Sequence, residues 1–324
     1  MPKALICGIG GQDGSYLATL LLSKGYEVWG TSRDADRGRA RNLKRLGIAD
    51  QLRVISMAPS DFRSVFTALD RSEPDVVYYL SGQSSVGLSF DQPAETLHSI
   101  ALGVLNLLEA IRMTGRDIRL YNAGSSECFG DTGDQPAHEE TSFRPRSPYA
   151  VAKASAHWLV RNYRESYGLF CCTGILFNHE SPLRPARFVT RKITGGAAAI
   201  ARGETDRLTL GNLDIARDWG WAPEYVDAMT RMLESDRPED FVIATGRTAR
   251  LEEFVAAAFA YFDLDWRAHV ESSPEFVRPS DIRVSRGDPA RAAAGLGWRA
   301  EARMEEVVAR MCAAETIADE EAKP

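Results

Sequence analysis

Short apolar runs alternate with amphipathic stretches through the first half of the chain. The apolar runs have the length of strands and lie at residues 4–7, 27–31, 53–57 and 75–80. In the stretches between them, such as 16–22 and 61–69, apolar residues recur at the spacing of one helix face. Strands that alternate with helices predict a parallel sheet with helices on both faces, the doubly wound α/β arrangement.

The alternation continues towards the middle of the chain. Residues 97–113 predict a long amphipathic helix, and residues 119–123 predict the next strand. That strand delivers Ser125 and Glu127 to its carboxyl end. Because ligands of such sheets bind at the carboxyl ends of the strands, this edge is the expected position of the active site.

The pattern changes at residue 178. Residues 178–187 are rich in proline and arginine and predict a loop, whereas 241–244 predict a short strand that returns to the sheet. The expected fold class is α/β, with an N-terminal doubly wound Rossmann domain and a smaller, discontinuous α/β substrate-binding domain. The Rossmann domain is expected from residues 1–178 plus about 218–248, and the second domain from about 179–217 plus 249–324.

Composition narrows the classes of function. The 324 residues are 44% hydrophobic with mixed charge, which is ordinary for a soluble globular enzyme. The net charge of −6 and the sequence pI of about 5.5 argue against general nucleic-acid binding. We therefore expect a small-molecule substrate and no nucleic-acid partner.

The cysteines and the termini give further expectations. The five cysteines are odd in number and contain no C-x-x-C pair, so neither a disulfide framework nor a metal site is expected. Cys128 is expected to be a buried packing thiol rather than a nucleophile. The chain enters a glycine turn too early for a signal peptide, and no apolar run looks long enough to span a bilayer. A cytoplasmic protein without a membrane partner is expected.

Three glycines mark a nucleotide site. Gly8, Gly11 and Gly14 end the first predicted strand and open the first predicted helix. Glycines at such positions allow a sharp turn and let backbone approach a pyrophosphate at a helix N-terminus. The spacing is typical of short-chain dehydrogenase cofactor sites, and we expect Gln12 and Asp13 of this turn to take part in binding the cofactor.

The end of the second strand bears on which cofactor is bound. An acidic residue there would hold the ribose 2′-hydroxyl of NAD, whereas an arginine would accept the 2′-phosphate of NADP. Arg33 occupies this end, and Asp34 lies beyond the place where a carboxylate usually contacts the ribose. The sequence therefore favours NADP.

Four side chains predict elimination chemistry. Tyr149 and Lys153 are four apart on a predicted helix, so the lysine can lie beneath the phenol and hold it as a phenolate at neutral pH. This short pattern often arises by chance, but Ser125 adds a hydroxyl and Glu127 a carboxylate at the same sheet edge. Expulsion of a β-hydroxyl needs a base beside the new ketone, whereas simple redox does not. The set predicts a dehydratase.

These residues and several longer segments carry a resemblance. The chain resembles the extended short-chain dehydrogenase/reductase family and, within it, the GDP-mannose 4,6-dehydratases. The resemblance covers most of the chain, and the segments around Asn178 and Arg217 are its most specific part. The matching segments are residues 8–17, 83–84, 147–153, 174–182, 188–194, 210–214, 217–220, 241–246, 278–279 and 287–289.

The resemblance implies a reaction and a substrate site. Tyr149 would help NADP to oxidise C4 of a GDP-linked hexose, Glu127 would remove the C5 proton, and water would leave from C6. The hydride would then return to C6, which leaves the cofactor unconsumed. The residues implied to hold the substrate are Ser84, Asn178, Lys192, Arg217 and Arg278.

The sequence departs from the family pattern at several positions. Ser125 replaces the usual threonine but keeps its hydroxyl, and Ala58-Pro59 replace a segment whose aspartate meets the adenine. The loop after Arg33 is shorter than in relatives, where it reaches a neighbouring subunit. A homodimer is therefore expected, and a tetramer is left open.

Three alternatives to GDP-mannose dehydration follow from the same residues. A GDP-manno-heptose 4,6-dehydratase would share every catalytic group. It is a serious alternative because the extra carbon lies near the loops that depart from the family pattern. An NADPH-dependent GDP-4-keto-6-deoxymannose reductase would need Tyr149 and Lys153 but not Glu127. A silent NADP-binding regulator would have damaged catalytic residues, and Ser125, Glu127, Tyr149 and Lys153 all carry suitable groups.

Overall fold

A parallel sheet forms the larger part of the molecule. The computed structural model describes residues 1–35, 41–273 and 279–320, with side chains up to residue 316. The sheet has seven strands, β1 (Lys3–Cys7), β2 (Glu27–Ser32), β3 (Arg53–Ser56), β4 (Val76–Tyr79), β5 (Arg119–Ala123), β6 (Cys171–Leu176) and β10 (Phe241–Ile243). Their order is β3-β2-β1-β4-β5-β6-β10, and all neighbours are parallel. The predicted doubly wound α/β fold is confirmed.

Helices cover both faces of this sheet. Those of the first half are α1 (Gln12–Ser23), α2 (Arg41–Arg45), α3 (Phe62–Ser72), α4 (Val86–Asp91), α5 (Pro93–Leu97), α6 (Gly103–Thr114) and α7 (Pro148–Tyr167). A π-helical turn at His98–Leu102 joins α5 to α6, and 3₁₀ turns lie at Ala49–Gln51 and Ser126–Phe129. Helix α3 begins after Asp61, whose side chain accepts the N–H of Arg63, and α7 ends at Gly168 with φ of +68°.

The strands are apolar on both sides because both sides are covered. All residues of β4 are buried, as a parallel strand between helical layers requires. On one face, Leu17 and Leu21 of α1 belong to the same apolar cluster as Met229. On the other face, α3, α6 and α7 bury a second cluster, which includes Leu107 and Val160.

The remaining elements build a smaller second layer. The helices are α8 (Val189–Ala201), α9 (Ala222–Glu234), α10 (Leu251–Ala260), α11 (Trp266–His269), α12 (Ala290–Leu296) and α13 (Met304–Glu320). The sheets are β11 (Thr248–Arg250)-β9 (Ala216–Trp221)-β7 (Asn178–Glu180) and β12 (Val270–Ser272)-β8 (Leu208–Leu210). Their core includes Ile193, Trp219, Phe254 and Val308. The division of the chain into two domains at the stated residues stays a prediction.

The segment after β6 differs from its prediction. Residues 178–187 were expected to form a loop, but Asn178–Glu180 is strand β7, which pairs in parallel with β9. The expectation was wrong because Asn, His and Glu do not form an apolar run. They are accommodated through polar contacts, since buried Glu180 accepts the hydroxyl of Thr190 at 2.6 Å.

One helical stretch also differs from its prediction. Among the described residues, Pro93–Thr114 is long and apolar enough to cross a membrane by length and composition. The sequence prediction that no such run exists is therefore wrong for this stretch. Val104, Leu107, Leu108 and Ile111 of its α6 part are buried in the core beside the sheet, so it packs as a core helix. A cytoplasmic location stays a prediction.

Candidate active site

The glycine turn joins β1 to α1 at the carboxyl edge of the sheet. Gly8 has φ of +88°, and a Cβ there would lie 3.1 Å from the backbone of Leu80 on the neighbouring strand connection. A Cβ on Gly14 would lie 2.5 Å from the carbonyl oxygen of Gly8, so helix and turn are in direct backbone contact. Gly11 is the N-cap of α1. The turn therefore presents bare backbone at a helix N-terminus, which suits an anionic group.

The side chains of Gln12 and Asp13 point to other partners within the protein. The Gln12 amide donates to the carbonyl of His179 at 3.2 Å and accepts the hydroxyl of Ser181 at 2.8 Å. Asp13 Oδ2 lies 3.0 Å from His179 Nε2. Both residues were predicted to bind the cofactor, and that role stays a prediction. Because these side-chain atoms already have partners, the backbone of the two residues is the part that suits cofactor binding.

Arg33 lies at the end of β2, as the sequence suggested. Its guanidinium is 84% exposed, and Nη1 lies 3.9 Å from the carboxylate of Glu95. An ion pair this long and exposed holds the side chain only loosely. The arginine can therefore turn towards a ligand beside the glycine turn. Arg37 and Arg39, which follow in sequence, lie outside the described residues.

Ser125 and Glu127 lie in the tight turn that follows β5. Ser125 is buried, and its hydroxyl accepts the N–H of Glu127 at 3.3 Å, which caps the 3₁₀ turn Ser126–Phe129. Glu127 is half-buried. The capping bond fixes the backbone of Glu127 relative to Ser125.

Tyr149 and Lys153 project from the first turns of α7. Ser147 caps this helix and Pro148 is its first residue, which fixes the position of Tyr149. Lys153 Nζ donates to the carbonyl of Ala123 at 2.7 Å and lies 5.8 Å from the centre of the Tyr149 ring. The predicted arrangement of phenol above ammonium on one helix face is present.

Burial acts against the predicted phenolate. Burial raises the pKa of Tyr149, a hydrogen bond from Ser125 opposes this rise, and the charge of Glu127 adds to it. Burial also lowers the pKa of Lys153 to about 8. A phenolate held by Lys153 stays a prediction, and it needs further positive charge to offset the cost of burying its own charge.

Cys128 behaves as a packing residue. It is buried beside Glu127, its thiol donates to the carbonyl of Ala150, and burial raises its pKa to about 12. A thiol with so high a pKa is a poor nucleophile at neutral pH. The expectation of a packing role is confirmed. Within the described ranges there is no group of three metal-ligating side chains.

Three of the five predicted substrate residues lie in the second layer. Asn178 on β7 and Arg217 on β9 belong to paired strands, and Lys192 is half-buried in the first turn of α8. Ser84 is exposed in the connection after β4. Arg278 lies outside the described residues.

Arg217 is buried with acceptors around its guanidinium. Nη1 donates to the carbonyl of Ala216 at 3.0 Å, and Nη2 lies 3.4 Å from Asp281 Oδ1. The residue is only 4% exposed. A buried cation needs such partners.

Arg184 is a cation that the sequence reasoning missed. It lies in the connection after β7, where its guanidinium stacks on Phe188 at 4.0 Å and its Nε lies 3.2 Å from Glu180. Its charge acts to lower the pKa of both Tyr149 and Asp13. In the sequence, only the density of arginines in residues 184–191 indicated a cation at this site.

Comparison with known proteins identifies the family to which the sequence is similar. Residues 5–311 match the family model described as GDP-mannose 4,6 dehydratase. The chain is 44% identical over 318 residues to GDP-mannose 4,6 dehydratase 1 of Arabidopsis thaliana, covering 95% of this chain and 88% of that relative. It is 42% identical over 346 residues to GDP-mannose 4,6-dehydratase of Vibrio cholerae, covering 95% and 92%.

A solved structure shares the fold at much lower identity. The dTDP-glucose 4,6-dehydratase DesIV of Streptomyces venezuelae, with NAD and TYD bound, superposes with a TM-score of 0.86 at 20% identity and covers 97% of each chain. At this identity the similarity shows a common fold.

Proposed function

The chain belongs to the GDP-mannose 4,6-dehydratase family, and we propose on that basis that it converts GDP-mannose to GDP-4-keto-6-deoxymannose with NADP as its cofactor. The observation that carries the proposal is the position of Glu127 in the turn after β5, where the next residue, Cys128, bonds to the backbone of Ala150 beside Tyr149. A 4-ketoreductase needs the phenol but has no use for that carboxylate.

The glycine turn and the end of β2 fit the cofactor. A side chain on Gly8 or Gly14 would collide with the protein's own backbone, so both glycines keep the turn tight at the N-terminus of α1, which favours the pyrophosphate. Arg33 is exposed and weakly paired, as a partner for a 2′-phosphate must be. When bound, oxidised NADP would place positive charge near the phenol, accept a hydride from C4 and return it to C6.

The four catalytic side chains then divide the work. Ser125 donates a hydrogen bond to the C4 oxygen, and Tyr149 takes the C4 hydroxyl proton onto its phenolate oxygen. Lys153, held by the carbonyl of Ala123, and Arg184 favour the ionised phenol. Glu127 accepts the C5 proton, which the neighbouring ketone acidifies, and passes it to the C6 hydroxyl, which leaves as water. After the hydride returns to C6, the proton held by Tyr149 goes to C5 and the phenolate is restored.

The substrate nucleotide is assigned to the second layer. Asn178, Lys192 and Arg217 offer amide, ammonium and guanidinium donors beside the catalytic edge, and donors of this kind suit a guanosine diphosphate. Ser84 and Arg278 are proposed to complete the site. Residues 1–178, together with about 218–248, would then form the cofactor domain, and about 179–217 plus 249–324 the substrate domain.

A homodimer is proposed through the exposed face of α7. Val151 and Trp158 are 43% and 53% exposed on this helix, although their neighbours are buried. Leu97 on the adjacent α5 is also exposed. Large apolar side chains on one face of packed helices favour burial against a second copy. A partner there would cover the outer side of the helix that carries Tyr149.

The proposal is tested by incubating the protein with GDP-mannose and NADP at one-hundredth of the substrate concentration. We expect complete conversion to a product lighter by one water, detected by mass spectrometry, because the cofactor is not consumed. The same reaction is run with the GDP-manno-heptose. Turnover of the heptose without turnover of GDP-mannose would contradict the substrate assignment. No product from GDP-mannose, together with oxidation of NADPH by GDP-4-keto-6-deoxymannose, would indicate a reductase.

A further inference from the structure

A hydrogen-bond network joins the first turn of α1 to the segment that follows β6. Gln12 bonds to the backbone of His179 and to Ser181, as described above, and Ser181 Oγ also accepts the N–H of Leu183 at 3.2 Å. Asp13 bonds to the His179 ring at 3.0 Å. Both ends of this network are buried and far apart in sequence. The network therefore fixes the glycine turn relative to residues 177–183.

The ring of His179 faces a hydrogen-bond acceptor on each side. Nδ1 lies 2.7 Å from the carbonyl oxygen of Phe177, which can only accept, and Nε2 faces the carboxylate of Asp13. The face of the ring stacks on Tyr225 at 4.5 Å. A doubly protonated imidazolium satisfies both acceptors, whereas a neutral ring would leave Nε2 without a proton to offer an ionised carboxylate. The geometry therefore favours an imidazolium–carboxylate pair.

The charges around the ring agree with this assignment. Burial opposes a charged ring, but Asp13 raises the pKa of His179 above its ordinary value, while Arg184 acts in the other direction. The same pair, with a hydrogen bond from Gln12, lowers the pKa of Asp13 to about 2 despite its burial. The titratable groups that face the ring are thus Asp13, Arg184 and Tyr225.

The residues on either side of His179 in the sequence include two that are proposed to act in the reaction. Asn178 precedes it, and Arg184 follows within the same connection, where its charge acts to lower the pKa of Tyr149. Helix α2 adds two bonds of the same kind, since Asn42 donates to the carbonyl of Gly10 at 3.1 Å and Arg45 to that of Pro182 at 3.3 Å. Movement of the 177–184 segment away from the turn would shift the substrate residues relative to the cofactor site.

We propose that Asp13 and His179 are positioning residues of the dehydratase, whose ion pair holds the segment carrying Asn178 and Arg184 in register with the cofactor turn. The inference rests on the proposed function of the site. It assigns the Asp13 side chain to alignment of the hexose with the cofactor rather than to cofactor binding. Alignment of reacting groups is sensitive to small displacements, because a shift of about 1 Å can cost roughly 100-fold in rate.

The experiment compares Asp13→Ala and Asp13→Asn with Asp240→Asn. Asp240 forms a matched, partly buried ion pair with Arg164 at 2.6 Å that touches none of the proposed site residues. We expect Asp13→Ala to lower kcat for GDP-mannose by about 10- to 100-fold. The dissociation constants of NADP and GDP, measured by calorimetry, should change by no more than about threefold, within the small effects expected for sites that keep their own contacts. Asp13→Asn should retain more activity than Asp13→Ala, because its amide can donate to a neutral imidazole.

A second readout does not depend on turnover. In ¹⁵N NMR of the wild-type protein, we expect the His179 ring to stay doubly protonated at pH values where an ordinary histidine is neutral, and Asp13→Asn should lower its pKa. Asp240→Asn should lower stability but keep kcat and the His179 titration. Unchanged kcat in Asp13→Ala, or a loss matched by weaker NADP binding, would overturn the inference. A wild-type protein that does not dehydrate GDP-mannose would instead overturn the proposed function.

Discussion

Two regions are built in different ways: the carboxyl edge of the large sheet, which is proposed to bind the cofactor (the cofactor edge), and the second layer, which is proposed to bind the substrate (the substrate layer). At the cofactor edge, backbone turns and capping residues place the groups, as the Gly8 turn and the Ser125 cap show. In the substrate layer, pairs distant in sequence place them, as Arg217 and Asp281 show. The comparison indicates that local patterns can specify chemistry, whereas selectivity for a substrate depends on contacts that only the folded chain forms.

The largest expected effect falls on the base at the cofactor edge. Glu127→Gln keeps the shape of the side chain but removes its capacity to accept the C5 proton, so kcat should fall by about 10²- to 10⁴-fold. NADP binding, followed by quenching of protein fluorescence, should stay as in the wild type. Dehydration at the wild-type rate would mean that the base is another residue.

A smaller effect is expected in the substrate layer. Arg217→Gln removes a buried cation and should weaken GDP binding by about 2 kcal/mol, roughly 30-fold in Kd, with NADP binding unchanged. Arg250→Gln is the matched control, since this arginine lies on the neighbouring strand β11 and pairs with exposed Asp214 at 2.8 Å. Equal losses in both variants would show that general positive charge, rather than Arg217, binds the diphosphate.

Replacement of Lys153, whose ammonium is buried, should change the free energy of unfolding by a similar amount. Its pKa of about 8 lies below the ordinary 10.5, so unfolding takes up a proton between these values and wild-type stability rises with pH across that window. Lys153→Met should raise the free energy of unfolding at pH 7 by about 2 kcal/mol, after loss of one hydrogen bond, and should abolish turnover. Urea unfolding at pH 7 and pH 10.5 measures the free energy of unfolding of both proteins. The greater stability of Lys153→Met over the wild type should vanish at the higher pH. A variant less stable than wild type at pH 7 would contradict the assignment.

The smallest effect is expected at the exposed end of β2. Arg33→Ser should weaken NADP by about 1 kcal/mol, roughly fivefold, because a solvent-exposed ion pair contributes little. NAD binding should be unaffected, and both constants are measured by calorimetry. A wild-type protein that binds NAD as tightly as NADP would overturn the cofactor assignment.

The sequence predicts the strands correctly where they are formed by apolar runs. Strand β5 spans the predicted residues 119–123, and β10 lies in the large sheet at the predicted 241–244. Strand β7 was missed because its residues are buried through polar contacts of Glu180 and His179 rather than through an apolar pattern. Helix α13 is also held by a contact that no apolar pattern predicts, since Glu315 pairs with Arg191 of α8.

The site was only partly readable for the same reason. The spacing of Tyr149 and Lys153 predicted their shared face, but not that burial would dominate the pKa of the phenol. Arg184 and the Asp13–His179 pair were invisible, since each depends on a contact across more than one element. Burial and long-range pairing are properties of the assembled layers, so spacing in the sequence does not contain them.

The central claim is that the cofactor edge performs an internal oxidation, elimination and reduction on one sugar. It is tested most directly with GDP-mannose that carries deuterium at C4, incubated with a catalytic amount of unlabelled NADP. The account predicts a 4-keto-6-deoxy product with the deuterium on C6, observed by NMR, and one water lost. A product without the label, or deuterium recovered in free NADPH, would contradict it.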